Sequence, residues 1–344
     1  MNTETVNYIR PKYFLGKHMS IFTNGLFQRV LMDPARCGCE RLRIVSGYAT
    51  PAMAFHHLNT LRDEGIDIEV ELIVGMCARD GLGKAHHEGF KRLVEDEFKG
   101  RLKCSYLMKN PPVHSKVYCW IKNDEPVIGY SGSANYTQMA FIGKQRELLT
   151  ETDSSLCYDY FDTLCDETIY CDNIDVESLV QITSDLAVER RKGQLRIEDD
   201  PAMLEIHQMM GLDSVRLSLL DRNGNLPKKS GLNWGQRPEY RREPNQAYIK
   251  VPAYIGKSDF FPVEKQHFTI LTDDEMTIVC TIAQANRKAI ESPHNNSLIG
   301  KYFRKRLGLK NGEFVRLEHL MRYGRTDVEI TKIDDETYYM DFSV

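Results

Sequence analysis

Pro111-Pro112-Val113-His114-Ser115-Lys116-Val117-Tyr118 is followed by Ser131-Gly132-Ser133-Ala134-Asn135 and then by Glu147. Side chains two apart in an extended chain point the same way, so a strand from His114 puts His114 and Lys116 on one face. Val113, Ser115 and Val117 take the other, and valine and tyrosine favour such a strand. A turn of small residues then delivers the Asn135 amide, and the Glu147 carboxylate comes later. Imidazole, ammonium, amide and carboxylate together suit attack on a phosphodiester, where negative charge builds on the equatorial oxygens. Of ten histidines only His114 has a lysine two residues on. His56-His57 and His86-His87 lack that company and read as helix-surface or core-edge residues.

Outward from this stretch the pattern alternates. Residues 20–31 have helical apolar spacing, Arg41 to Tyr48 is strand-like, and Pro51 to Leu61 reads as a helix opened by proline. Asp67 to Val74 reads as a buried strand, His86 to Phe98 as an amphipathic helix, and Leu102 to Leu107 as a strand. His114 to Ile121 and Pro126 to Tyr130 form a strand pair around an Asn123-Asp124 turn. Asn135 to Phe141 reads as a short helix, and Glu147 opens a further strand. Strands alternating with helices predict a layered α/β domain over residues 1–170. A helix from Asp175 to Arg191 and the polar run Lys192 to Asp200 predict a helical linker over 171–212. After it come strand candidates at Ser214–Leu220, Gln246–Pro252, His267–Leu271, Met276–Ala283, Phe314–Leu317, Asp327–Lys332 and Thr337–Phe342. Ser297 to Leu307 is the one clear helix there, with Asn296 as N-cap and Gly308 past its end. Residues 213–344 are therefore expected to form a mainly-β, barrel-like domain.

The 344 residues are 27% charged and 42% hydrophobic, as in ordinary globular proteins. No run approaches the roughly 18 apolar residues of a membrane span. The opening Met-Asn-Thr-Glu-Thr-Val-Asn lacks the regions of a signal peptide, so a cytoplasmic protein with no membrane partner is expected. Nine cysteines without a C-x-x-C pair fit reduced, mostly buried thiols rather than disulfides or zinc. The net charge of −4 is unevenly spread: residues 215–344 carry +4 and the remainder −8. The C-terminal part is thus the place to expect polyanion contact.

His114-x-Lys116, Gly132-Ser133-x-Asn135 and Glu147 resemble the phospholipase D superfamily, especially its compact nucleases. The resemblance implies a metal-independent site in which His114 is the nucleophile or its acid partner, passing through a covalent phosphohistidine. Lys116 and Asn135 would bind the non-bridging oxygens, Ser133 would line the turn, and Glu147 would orient the imidazole. The superfamily's usual aspartate five residues after the lysine is Ile121 here, and the interval from Lys116 to Asn135 is longer by about a hairpin. The missing aspartate is often lacking in the nuclease branch, so it weakens a lipid-transferring reading more than a nuclease one. A single H-x-K cannot supply both nucleophile and acid, so a homodimer sharing one site is expected.

Two later segments are rich in groups that reach phosphates or base edges. One runs from Asn225 to Gln246 and offers Lys229, Asn233, Trp234, Gln236, Arg237, Arg241, Arg242 and Asn245. The other offers Gln284, Asn286, Arg287 and Lys288, then Asn295, Asn296 and Ser297 at a helix start. Lys301, Arg304, Lys305, Arg306 and Lys310 read more simply as the wet face of that helix. The blocks Asn233–Arg237, Arg242–Tyr248, Asn295–Arg304 and Tyr323–Thr326 resemble the B-three-like DNA-binding pseudobarrel. Together the two halves resemble NgoFVII-type restriction endonucleases, which join a phospholipase-D-like nuclease to such a pseudobarrel. That implies site-specific cleavage of double-stranded DNA, a cognate DNA methyltransferase in the same system, and no cofactor. Some relatives need a helicase-like ATPase. The chain has no G-x-x-x-x-G-K-[ST] loop, so ATP would act only through such a partner. The alternatives are a phosphatidyltransferase, which needs an apolar or membrane-binding surface, and a non-catalytic sequence-specific DNA-binding protein, which leaves His114, Lys116, Asn135 and Glu147 without purpose.

Overall fold

The computed structural model describes residues 20–143, 145–183, 214–263, 266–284, 287–293 and 296–344. They fall into two compact units, one within Met1–Thr183 and one within Ser184–Val344.

The first unit holds strands β1 (Ile21–Phe22), β2 (Arg41–Ser46), β3 (Glu69–Val74), β4 (Leu82–Gly83), β5 (Leu102–Leu107), β6 (Val117–Lys122), β7 (Glu125–Gly132), β8 (Leu149–Thr152), β9 (Thr168–Tyr170) and β10 (Ile182–Thr183). Eight of them form one mixed sheet in the order β1-β8-β7-β6-β2-β3-β5-β9. Strands β2, β3 and β5 run parallel, as βαβ crossovers require, while β6 returns antiparallel beside β2. Strands β4 and β10 pair separately, in parallel. Helices Pro51–Asp63 and Ser154–Cys165 pack by apolar faces that include Met53, Phe55 and Leu58 in the first and Phe161 and Leu164 in the second. The Thr50 hydroxyl caps the first by accepting from the Met53 amide at 3.2 Å. The turn between β6 and β7 is made by Asn123 and Asp124, both at positive φ, the geometry that suits two-residue hairpins.

The expected strand from His114 is shorter than its sequence suggests. Pairing begins at Val117, because the Val113 amide donates to the Gly75 carbonyl at 3.1 Å and draws residues 112–116 over the end of β3. A side chain at Gly75 would put its Cβ 2.2 Å from the Val113 oxygen, so only glycine permits this crossing. The expected helix from Asp175 to Arg191 is confined, within the described residues, to Val176–Leu179 before β10. The remainder of the expected linker lies outside the described residues.

His57 is fully buried, not at a helix surface. Its Nδ1 lies 2.9 Å from the Tyr136 hydroxyl and its Nε2 3.3 Å from the Leu31 carbonyl. Burial lowers His57 to about 3 and half-buried His56 to about 4, against an ordinary 6.5. The unfolded chain therefore takes up protons that the folded one refuses. The stability these groups support is intact above pH 6.5 and is lost as pH falls toward 4. We expect denaturant melts of the full chain to lose on the order of 3–5 kcal/mol between pH 6.5 and 4.5. A flat profile over that interval would contradict it.

The second unit holds β11 (Ser214–Ser218), β12 (Ile249–Lys250), β13 (His267–Thr272), β14 (Thr277–Ala283), β15 (Ala289–Glu291), β16 (Asp327–Lys332) and β17 (Thr337–Asp341). They form a sheet in the order β11-β16-β17-β13-β14-β15-β12, curled so that its edge strands β11 and β12 approach each other. Phe261, Phe268, Tyr302, Phe303, Tyr338 and Phe342 fill the centre with ring-to-ring contacts. The Ser297–Arg306 helix lies where expected, with Gly308 at φ 67° beyond its end. A strand expected at Phe314–Leu317 is instead the approach to a helix, Leu317–Tyr323. Only Ile249–Lys250 of the expected Gln246–Pro252 strand is paired as strand.

Candidate active site

Four segments of the N-terminal unit meet beyond the ends of β2 and β3: the loops after β2 and β3, the 112–116 approach, and the turn after β7. Tyr118 donates its hydroxyl to the Ala134 carbonyl at 2.8 Å, and the Gly132 amide donates to the Lys116 carbonyl at 3.2 Å. These bonds hold the His114 approach and the Ser133–Asn135 turn side by side. A Cβ at Gly132 would stand 2.2 Å from the Leu148 oxygen, so that turn also needs glycine.

His114 is exposed, whereas Lys116 is only 5% exposed. The Lys116 ammonium donates to the His114 carbonyl at 2.6 Å. Burial lowers its pKa, with the nearby Glu147 carboxylate acting against that. Ser133 donates its hydroxyl to Glu147 in a short bond and accepts from the Leu148 amide at 3.0 Å. Asn135 Oδ1 accepts from the Tyr48 amide at 3.1 Å, which leaves its NH2 group free of that contact. All five expected residues thus belong to one neighbourhood. Glu147 departs from expectation: its hydrogen bond is to Ser133, and among the described contacts none joins it to His114.

Sequence reading missed Gly47 and Tyr48, which enter from the loop after β2. A Cβ at Gly47 would stand 2.9 Å from His114 Cδ2 and 3.4 Å from Asn135 Oδ1. Gly47→Ala is therefore expected to push the imidazole aside and lower turnover about 10- to 100-fold, with little change in melting temperature. Turnover and thermal melts check it, and an alanine variant of normal turnover would count against this packing. A separate cleft of about 450 Å³ lined by Leu58, Arg62, Asp67, Phe98 and Arg101 contains none of these residues.

In the second unit, the segment between β11 and β12 is a tightly braced loop. Asn233, fully buried, donates to the Pro227 and Val315 carbonyls at 3.1 and 2.8 Å and accepts from the Val315 amide at 3.0 Å. Gln236 donates to the Pro244 and Gly312 carbonyls, each at 3.0 Å. Asn245 donates to Glu243 at 2.8 Å and accepts from the Gly312 amide at 2.7 Å. These three side chains were expected to touch DNA; their NH2 groups, and the oxygens of Asn233 and Asn245, are engaged by the loop. Ser297 is buried at the helix start and is likewise turned inward. Arg304, expected on the wet face, is fully buried and donates to four carbonyls, of Glu313, Gly300, Leu232 and Pro244, at 2.8–3.4 Å.

Around the bracing lie basic and aromatic side chains. The Arg242 guanidinium sits 4.0 Å over the Trp234 ring, which meets Tyr248 edge-on at 5.7 Å. Arg237 lies 6.0 Å from the Tyr240 ring centroid. Arg241 is exposed at φ 52°, and Lys229 pairs with Glu239 at 2.7 Å. Arg237 Nε, Arg242 Nε and Gln246 Oε1 are buried and have no partner among the described residues. On the second segment Lys288 is exposed and Gln284 bonds Glu291 at 2.7 Å. Arg287 donates to the Phe261 and Pro262 carbonyls, both at 2.7 Å. Asn296 is half-buried and makes no side-chain cap bond. Asn286 and Asn295 lie outside the described residues.

Comparison with known proteins bears directly on both units. Residues 24–178 match the N-terminal PLD domain of NgoFVII restriction endonuclease, and residues 207–334 match the NgoFVII C-terminal B3-like DNA-binding domain. The chain belongs to the NgoFVII family of restriction endonucleases. The fold is accordingly a phospholipase-D-like domain followed by a B3-like DNA-binding domain. Among solved structures, NucT from Helicobacter pylori is similar over 44% of this chain and 98% of its own, at 19% identity and a TM-score of 0.31. Nuc from Salmonella typhimurium, a phospholipase D family member, is similar over 44% and 96%, at 14% identity and a TM-score of 0.32. No curated protein matches the chain. Membership in the NgoFVII family sets aside both the lipid-transferring and the non-catalytic alternatives.

All nine thiols of this NgoFVII-type chain are free. Among the described residues, His87, Glu88 and Glu177 bring possible metal-ligand atoms within 4.8 Å of one another. His87 Nδ1 lies 3.3 Å from the Tyr106 hydroxyl, and burial lowers the His87 pKa. No described helix is long and apolar enough to cross a membrane.

Proposed function

We propose that this restriction endonuclease hydrolyses DNA phosphodiesters without a metal, through a covalent phosphohistidine, with one active site shared by two copies of the chain. The observation that carries this reading is the convergence of His114, Lys116, Ser133, Asn135 and Glu147 around one exposed imidazole. A His114 ring nitrogen attacks phosphorus, a P–N bond forms, and the P–O bond to the leaving nucleoside breaks. The leaving oxygen takes its proton from the partner subunit's His114. Water, deprotonated by that same histidine, then cleaves the P–N bond and restores both imidazoles. In this reading Lys116 and the Asn135 NH2 group receive the non-bridging oxygens, and Glu147 fixes Ser133 near the Lys116 charge.

Double-stranded DNA is the partner of the B3-like domain. For its contacts we retain Lys229, Trp234, Arg237, Arg241, Arg242, Gln284, Arg287, Lys288 and Asn296, with Asn286 and Asn295 carried over from sequence. The nuclease, linker and binding regions are assigned to residues 1–170, 171–212 and 213–344. A cytoplasmic setting, a cognate methyltransferase and a helicase-like ATPase partner complete the reading.

Digestion of unmethylated plasmid tests it, with and without excess EDTA and with and without ATP and host extract. Discrete fragments at an unchanged rate in EDTA are expected. Strong inhibition by EDTA would overturn the metal-free route, and intact plasmid in every arm would overturn the reading as a whole.

A further inference from the structure

The loop after β2, Ser46-Gly47-Tyr48, lies outside the motif that identifies the nuclease, yet it touches two of the motif's residues. We propose that Tyr48 and Asp80 are positioning residues for His114: the phenol edge fixes the imidazole ring, and the Asp80 carboxylate that grips the phenol supplies a fixed negative charge on that side. The inference rests on the nuclease reading of His114.

Geometry supports each step. The Tyr48 and His114 ring centroids are 5.9 Å apart with the rings at 79°, an edge-to-face contact. The Tyr48 hydroxyl donates to Asp80 Oδ2 at 2.6 Å. Arg79 holds the same carboxylate at 2.8 and 3.2 Å, so the anion is pinned from two sides. Through its backbone amide Tyr48 also holds Asn135 Oδ1 at 3.1 Å, which couples the placement of the imidazole to that of the amide. The Ser46 hydroxyl fixes the loop by donating to the Tyr48 carbonyl at 2.6 Å and accepting from the Tyr136 amide at 2.9 Å.

Charge agrees with geometry. Arg79 first, then Tyr48, hold the Asp80 carboxyl below its usual value, with His114 among the further groups that do so. The bond to Asp80 raises the Tyr48 pKa and keeps the phenol a donor. The carboxylate that the family resemblance assigns to orienting the imidazole, Glu147, is taken up by Ser133. A histidine that must act as nucleophile or acid needs a ring held in one orientation. Tyr48, itself gripped by Asp80, is in contact with the ring to hold it.

Asp80→Asn, Tyr48→Phe and Tyr48→Ala in the full chain test this. Single-turnover cleavage is expected to fall about tenfold in Asp80→Asn and Tyr48→Phe and further in Tyr48→Ala. DNA affinity and melting temperature should hold, and Asp80→Glu should recover part of the rate. The 15N shifts of the His114 ring, which report its tautomer and hydrogen bonding, should move in Asp80→Asn and stay in place in a variant of exposed Asp159. Wild-type rates with unmoved His114 shifts would overturn the inference, and so would a rate loss matched by lost DNA affinity or stability. If the wild-type chain cleaves no DNA, the nuclease reading fails, while the His114 shifts still decide the positioning claim.

Discussion

Replacing His114 by alanine is expected to lower DNA cleavage by about four or more orders of magnitude. DNA affinity and melting temperature should stay unchanged. The size follows from chemistry: alanine has no nitrogen to attack phosphorus, and in a shared site the same substitution also removes the acid. The selectivity follows from the fold. The imidazole is exposed, its ring contact is with the exposed Tyr48, and the Lys116 ammonium bonds the backbone carbonyl of residue 114, which alanine keeps. Mass spectrometry of quenched reactions should find a phosphoryl group on His114 in the wild type and none in the variant. Retained cleavage would remove His114 from the mechanism. Mixing the variant with wild-type chain adds a further test, because mixed dimers would hold one histidine where two are needed.

Replacing Arg304 by leucine is expected to destabilise the C-terminal unit by about 3 kcal/mol and to abolish DNA binding with it. The guanidinium is fully buried and ties carbonyls of Leu232 and Pro244, in the loop before β12, to Gly300 on its own helix and Glu313 beyond it. Leucine leaves those acceptors without donors, at about 1–3 kcal/mol for each that water cannot reach. Removing a buried charge offsets part of that, since burial already lowers the Arg304 pKa. The braced loop carries Trp234, Arg237 and Arg242, so its loosening separates groups proposed to contact DNA together. Chemical denaturation and fluorescence anisotropy with duplex DNA check the two effects. Arg242→Ala gives the contrast: it should weaken binding at unchanged stability, by about 1–3 kcal/mol, and reduce the salt dependence by about one charge. An Arg304→Leu chain that binds DNA normally would return Arg304 to the solvent face.

The layered domain was legible because its strands are short apolar runs between helical patterns; Leu102–Leu107 falls where its residues place it. Ser297–Arg306 was legible from its end signals. Strand ends were less so, since a chain leaves a sheet where a tertiary bond draws it away. The Gly75 carbonyl does this to Val113, and the Asn296 carbonyl does it to Ala247. Within the site, spacing disclosed His114, Lys116, Ser133, Asn135 and Glu147, which lie close along the chain. Tyr48 comes from the loop after β2 and Asp80 ends the short helix Cys77–Asp80 after β3, and the parallel placing of β2 and β3 brings them near. In the DNA-binding half, composition marked a loop rich in basic and amide groups but could not divide its side chains. An asparagine that braces a loop and one that reads a base carry the same amide, and burial alone separates Asn233 and Asn245 from Arg242.

The Lys116 ammonium gives one of its three N–H groups to the His114 carbonyl at 2.6 Å. Among the described contacts the other two have no partner, which leaves donors for an arriving oxyanion while the first stays bonded. The charge and the imidazole it accompanies are therefore set by one stretch of backbone, and a change that shifts the backbone of residue 114 displaces both at once.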